Sequence, residues 1–328
     1  MAKKSDCWVG FDLGGTKMQA TLFDGAFKPL ATRRKKTKDF RGARNGLLGI
    51  IKTIEDVIAE AGIPRKRVRG IGLACPGVLN LDRGVLIQSP NLGWRNLPLV
   101  AKLEKHFGCP VVIGNDVDVG TYGEYRFGAA RDARCVLGVF VGTGVGGACI
   151  YEGKIFRART GSCMEIGHMH LQPKGDLCGC GRHGCLETVT SRLAISAEVA
   201  EAAVRGNAPH IWELAGADLT NIRSRTLRTA IERGDKAVLD IVTHAAKYLG
   251  VAVASLVNIL VPDVVVLGGG LVEAFPDLYR EQIRKAIREQ SMKPLAAGVR
   301  VVPAKLGDDA GVLGAAALAA EAYYAQHR

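Results

Sequence analysis

Three cysteines, Cys178, Cys180 and Cys185, crowd into one short glycine-rich stretch, with His168 a little upstream. The spacing His168-x9-Cys178-x-Cys180-x4-Cys185 offers one imidazole and three thiolates. That set suits a tetrahedral zinc ion, one per chain, and four good ligands leave no open position, so the site is expected to be structural. Gly179, Gly181 and Gly184 supply turns that aim three sulfurs at one point. His170 and His183 are rival ligands by position. Glu165 and Glu187 flank the loop, so a bound ion would fix two carboxylates in space. The other six cysteines are scattered singly, several in apolar runs, and read as small buried hydrophobes.

A second group of residues has the chemistry of phosphate. Asp12-Leu13-Gly14-Gly15-Thr16-Lys17 and Gly142-Thr143-Gly144-Val145-Gly146-Gly147 each lie between two strand-like runs. The second matches G-x-G-x-x-G, which invites a dinucleotide reading with Glu165 as the ribose acid. That mechanism needs a helix N-terminus after the third glycine. Ala-Cys-Ile-Tyr-Glu-Gly-Lys follows instead, which is strand-and-turn sequence. Taken singly, each turn is an ordinary hairpin. Taken together, they suit a clasp in which glycine backbone N–H groups and threonine hydroxyls approach phosphate oxygens, with Asp12 orienting hydrated Mg²⁺. Asn115-Asp116 ends another apolar run. A carboxylate there can take the proton of an attacking hydroxyl, although an Asx turn or helix cap is the commoner fate of this dipeptide.

The elements that must position these residues follow from periodicity. Strands are expected over 7–13, 17–23, 29–37, 68–75, 111–113, 135–141, 147–151, 263–267 and 299–303. Helices are expected over 44–61, 99–107, 191–205, 236–260, 276–289 and 310–325. Residues 155–190 read as a long ordered loop. Strand, glycine turn, strand over 9–25 recurs over 137–153, which suggests a duplicated lobe. With 328 residues, two domains are expected. The net charge of +12 is concentrated in Arg33, Arg34, Lys35, Lys36, Lys38, Arg41 and Arg44 and in Arg65, Lys66, Arg67 and Arg69. Solvated faces explain such runs, and only Phe40 interleaves to stack a base, so nucleic acid is not an expected partner. No apolar run reaches the length of a membrane span, and no apolar signal core follows the first residues. A cytoplasmic protein is expected, in which clustered thiols mean metal rather than disulfides.

Together these segments resemble the ROK family (repressors, open reading frames and kinases) of the hexokinase, actin and Hsp70 superfamily. Asp12–Lys17 looks like the first phosphate motif, Gly142–Gly147 the second, and Gly268-Gly269-Gly270 the adenosine motif. Cys75-Pro-Gly-Val and Asn91-Leu-Gly-Trp94 look like sugar-side loops, Gly114-Asn115-Asp116 like the catalytic segment, and Glu165-Ile-Gly-His168 with Cys178–Glu187 like the zinc signature. The resemblance implies an α/β, two-lobed hexokinase/actin-like (ribonuclease H-like) duplicated fold with a cleft between lobes that closes on the sugar. Residues 1–118, completed by a C-terminal helix at about 310–328, would form the small lobe, and 119–309 the large lobe. The implied activity is ATP-dependent phosphorylation of a hexose, glucose first, at its 6-hydroxyl by a homodimer. N-acetylmannosamine, N-acetylglucosamine or fructose are alternative acceptors, and polyphosphate is an alternative donor. Asp116 would be the general base. Asn91, Asn115, Glu165, His168 and Glu187 would hold hydroxyls, with His168 also a zinc ligand, and Mg²⁺ would accompany ATP. A sugar-responsive transcriptional regulator of the same family would need an N-terminal DNA-binding domain, for which the first strand near Cys7 is expected to leave no room. The chain departs from the family at Gly114 and Asp118 in Glu-Asn-Asp-Ala-Asn, at Cys163-Met164 in Ala-Gly-Glu, and at Ala148 for a glycine. Met164, if it points inward, would narrow the sugar pocket.

Overall fold

The computed structural model describes residues 6–40, 42–158, 161, 163–216 and 218–327. The chain divides into two compact units. One holds the residues up to Asp132, Gly153–Cys163 and Lys305 onward; the other holds Ala133–Glu152 and Met164–Ala304. The same strand plan occurs in each. In the first unit, Cys7–Leu13 and Lys17–Asp24 form an antiparallel hairpin, and Val68–Cys75 then Val111–Asn115 add in parallel beside Cys7–Leu13. In the second, Cys135–Val141 and Val145–Tyr151 form the hairpin, and Val264–Gly268 then Arg300–Pro303 add in parallel. The echo between the two glycine turns in the sequence is therefore an echo of two sheets.

The central strand Val264–Gly268 is apolar along its whole length because both of its faces are covered, and every residue of it is buried. The edge strand Pro29–Lys36 is charged instead, as an edge open to water requires. Three of its cations are paired: Arg33 with Glu60, Lys35 with Asp56, Arg34 with Asp308. Arg69 pairs with Asp6. Arg33, Arg34, Lys35 and Arg69 of the basic runs are thus ion-paired; Arg41 lies outside the described residues. Lys236–Leu260 has the length and composition of a membrane span, contrary to the expectation of none. Its Leu249, Val253 and Val257 nevertheless sit in the core of the second unit with Tyr279 and Ile283 of the neighbouring helix Pro276–Gln290.

The last helix, Ala310–Gln326, is built from small residues and lies against its own sheet at backbone distance. A Cβ at Gly10 would collide with the Val312 carbonyl, and one at Gly72 with the Ala315 carbonyl. A second helix, Asp116–Phe127, packs on the same element through Gly123 and Gly314. Periodicity misses this helix because Asp118, Gly120, Thr121 and Gly123 interrupt its apolar face, although all four are buried. The expected domain cut after residue 118 falls inside it, whereas the packing keeps it whole in the first unit. Also unforeseen is a small three-stranded sheet, Val78–Asn80, Val85–Ser89 and Trp94–Leu97, whose strands are too short to show an alternation. Helices Pro209–Ala215 and Ser224–Glu232 complete the second unit.

Glu124 ties this packing together. It is fully buried, and its Oε1 accepts the backbone N–H groups of Lys305 and Leu306 at 2.8 and 2.7 Å while Oε2 accepts that of Ala129 at 2.8 Å. Glutamine would turn an amide donor toward at least one of these N–H donors. Glu124→Gln is therefore expected to cost about 2–4 kcal/mol, read as a lower urea midpoint. An unchanged midpoint would mean the clamp does not stabilise the fold.

Candidate active site

Within the first unit the strand register gathers the acidic residues at one edge. Asp12 pairs in register with Ala74, and Cys75 with Asn115, so three neighbouring parallel strands end together. The C-terminal ends of parallel strands are where such sheets receive ligands. The first glycine turn is closed by the Gly14 N–H donating to the Lys17 carbonyl at 2.9 Å. Thr37 holds it from outside: its hydroxyl donates to the Gly14 carbonyl at 2.7 Å and its N–H to the Thr16 carbonyl at 2.9 Å. A Cβ at Gly15 would stand 3.6 Å from that of Asn91, an exposed residue in the turn before Trp94–Leu97. Asn115 is the helix cap the dipeptide suggested, its Oδ1 accepting the N–H groups of Val117 and Asp118 at 2.9 and 3.3 Å. Capping fixes the next residue, Asp116, at the strand edge; its Oδ1 accepts the Val117 N–H at 3.0 Å. Gly114 replaces the family's glutamate where a Cβ would meet the Val119 side chain at 2.6 Å.

The charges at this edge act on one another. Burial, followed by the negative charges of Asp116 and Asp308, pushes the Asp12 carboxyl up to about 6, with Lys17 opposing. Burial, then Asp116 and Asp12, raises the Cys75 thiol. Asp308 goes the other way, held low chiefly by a hydrogen bond from Lys17 at 2.7 Å. Gln19 links the same corner, donating to Asp309 at 3.1 Å and accepting from Arg34 at 2.8 Å. Asp308 and Asp309 were not among the expected site residues; their signal was two adjacent acids immediately before a glycine- and alanine-rich helix.

In the second unit, ligand atoms of His168, Cys178, Cys180 and Cys185 all lie within 4.8 Å of one another. A tetrahedral site with metal–sulfur bonds near 2.3 Å has edges of roughly 3.8 Å. The Cys180 and Cys185 sulfurs are 3.7 Å apart, and Cys178 Sγ is 3.6 Å from His168 Nδ1. These four donors are close enough together to hold one metal ion. His183 is not in it: its Nδ1 faces the Gly175 carbonyl at 3.1 Å. Nor is His170, whose backbone bridges that of Cys185. Gly184, at φ +73° with the Gln172 carbonyl where a Cβ would stand, lets the loop fold back on itself. Glu165 is exposed beside the short helical turn Ile166–His168.

Glu187 joins the metal loop to the second glycine turn. Its Oε1 lies 3.8 Å from Cys178 Sγ, and its Oε2 accepts the Val145 N–H at 2.9 Å. A Cβ at Gly144 would collide with that carboxylate. The Gly142 N–H donates to the Gly144 carbonyl at 2.9 Å, and Arg192 donates to the Thr143 hydroxyl at 3.2 Å. Gly268 and Gly269 pack on Phe140 and Val141, directly before this turn, and Gly270 begins a short helix. Met164 is left-handed at φ +60°, a conformation that explains the family's glycine. Its half-buried side chain packs on the unit's apolar core.

The raised Asp12 carboxyl makes a stability prediction. Below the unfolded value near 4 the group is protonated in both states and costs nothing; as pH rises through about 6 the folded state must carry an unfavourable charge. In magnesium-free buffer Asp12→Asn should raise stability at pH 8 by up to about 3 kcal/mol, seen as a higher melting temperature, and by only roughly 0.5 kcal/mol at pH 4. Equal effects at both pH values would contradict the assignment.

A family model described as the ROK family matches residues 8–322. A glucokinase of Halalkalibacterium halodurans is 33% identical over 315 residues, covering 94% of each chain. A xylose repressor of Caldicellulosiruptor bescii is 30% identical, over 94% of this chain and 77% of its own. The crystal structure of a ROK family glucokinase from Streptomyces griseus in complex with glucose and AMPPNP superposes with a TM-score of 0.80 at 31% identity, covering 96% of this chain and 99% of that one. The family match spans nearly the whole chain, and the chain belongs to the ROK family.

Proposed function

We propose that the protein transfers the γ-phosphoryl group of ATP to the 6-hydroxyl of a hexose, with glucose the leading acceptor. The observation that carries this reading is the shared strand edge of Asp12 and Asp116 beside the Gly14–Lys17 turn. It supplies a base and a phosphate turn on one rigid sheet. The glucose and AMPPNP named with the Streptomyces griseus relative support the two substrates.

In this reading Asp116 takes the proton of the 6-hydroxyl as its oxygen bonds to the γ-phosphorus and the bond to the bridging oxygen of ADP breaks. Asn91 and Asn115 in the first unit, and Glu165, His168 and Glu187 in the second, hold the other hydroxyls. Contacts to charged partners of this kind discriminate well between sugars. Glu187 does so with one oxygen already committed to the Val145 N–H, so its orientation follows the glycine turn. Gly14, Gly15, Thr16 and Lys17, then Gly142, Thr143 and Gly144, take the phosphates, and Gly268–Gly270 the adenosine. Mg²⁺ bound with ATP spreads the phosphate charge, and Asp12 orients its water. His168, Cys178, Cys180 and Cys185 hold a structural zinc ion, whose part is to fix the loop that carries Glu165 and Glu187. We further assign a cytoplasmic homodimer, a state that sedimentation velocity would test.

A coupled assay with ATP·Mg²⁺ against glucose, fructose, N-acetylglucosamine and N-acetylmannosamine, repeated with polyphosphate, tests the reading. Turnover should be highest with glucose and ATP; no turnover with any acceptor would refute it. Asp116→Ala should lower kcat by roughly 10²-fold or more with the fold intact, and an active variant would remove the general base. Metal analysis should return about one zinc per chain, and Cys180→Ser should weaken hexose binding and stability together. A metal-free protein of full activity and stability would end the zinc assignment.

A further inference from the structure

Arg192 and Arg223 stand between the second glycine turn and the Gly268–Gly270 turn, and the activity proposed above does not use them. Arg192 is tied to the first of these by two bonds: its backbone N–H donates to the Gly142 carbonyl at 2.9 Å, and its Nη2 to the Thr143 hydroxyl at 3.2 Å. Its Nη1 reaches the Ile222 carbonyl at 3.5 Å, next to Arg223. Arg223 Nε donates to the Thr220 carbonyl at 3.2 Å. On the far side, a Cβ at Gly270 would stand 3.4 Å from the hydroxyl of Ser224. Arg192 is also the first residue of the helix Arg192–Val204, capped by Ser191. The positive end of that helix therefore points the same way as the guanidinium's charge.

These polar partners are all neutral, a hydroxyl and two carbonyls. Burial and then the charge of Arg223 hold the Arg192 pKa below its ordinary value. Two guanidiniums that repel each other beside a glycine turn, with no carboxylate ion-paired to either among the described residues, form a site whose missing partner is an anion. Planar guanidinium forks match phosphate oxygens two at a time.

We propose that Arg192 and Arg223 bind the phosphate chain of the phosphoryl donor, and that Thr143 sits between that chain and Arg192. The proposal rests on the donor reading of the Gly142–Gly147 turn. The chemistry recognised is a linear chain of phosphates, whether it ends in a nucleoside or not.

The test is calorimetric titration of the purified, metal-replete protein, without hexose, using ATP·Mg²⁺ in one arm and inorganic tripolyphosphate in the other. Arg192→Ala should weaken both by about tenfold or more, Arg192→Lys by less, and Arg223→Ala should also weaken both. Hexose affinity, measured by fluorescence without donor, should not move. Unchanged affinities in both alanine variants would overturn the proposal, as would loss of ATP binding with tripolyphosphate binding intact, because the pair would then read the nucleoside. Should Arg192→Ala fail to fold, the exposed Arg223→Ala decides alone. If the wild type binds tripolyphosphate in an arginine-dependent way but phosphorylates no hexose, the anion site stands and the kinase reading falls. If it phosphorylates hexose while both variants bind donors normally, only the anion site falls.

Discussion

Backbone-to-backbone contact between the helix Ala310–Gln326 and the first sheet is the constraint on which the candidate site rests. Gly10 and Gly72 let the helix approach until its carbonyls occupy the space of two side chains. That approach brings Asp308, Asp309 and Gly311 to the end of Cys7–Leu13, where Gly311 borders the Asp12 carboxyl. The helix Asp116–Phe127 is held to the same element through Gly123 and Gly314, and Glu124 accepts the backbone of the strand-to-helix connection. Asp12, Asp116 and Asp308 are near one another because packed small residues leave no slack between their elements. The electrostatic cost is visible in the Asp12 carboxyl, raised by burial first and then by the charges of Asp116 and Asp308.

The second unit solves a different problem. A long loop with little regular structure cannot hold carboxylates in place by packing alone, since few apolar residues are available to it. Its Ile166 and Leu186 reach the core of the unit, and four possible metal donors gather within 4.8 Å of one another. Glu187 then extends that order to the glycine turn by a single hydrogen bond to Val145. Cys178, Glu187 and the Gly142–Gly147 turn are thus linked through one side chain. Arg192, at the start of the next helix, continues this link to the Thr143 hydroxyl.

Much of this was legible before any coordinates. The metal set needed only thiol chemistry and spacing, because its ligands are close in the chain. The long helices Lys236–Leu260 and Pro276–Gln290 and the strand Cys135–Val141 showed in their apolar periods, which burial imposes directly. The duplication showed in two glycine hairpins. The helix Asp116–Phe127 was hidden, since glycines chosen for close contact look like helix breakers until the partner backbone is known. Asn115 and Asp116 were seen as alternatives, cap or base, and the fold makes one residue the cap so that the other is held at the strand end.

The sequence by itself determined the donor sets, the apolar periods and the family, because each depends on residue types at short separations along the chain. Only the tertiary structure decided which acids share an edge, that Met164 turns to the core from a left-handed backbone, that His183 is not a ligand, and that Glu124 and Arg192 matter. Those facts depend on contacts such as Glu124 with Lys305, far apart in the chain, where strand register and backbone approach set the distances. The loop of His168 to Cys185 stands on both sides of that line: its four-donor set is written in its spacing, and its link to the Gly142–Gly147 turn through Glu187 is not.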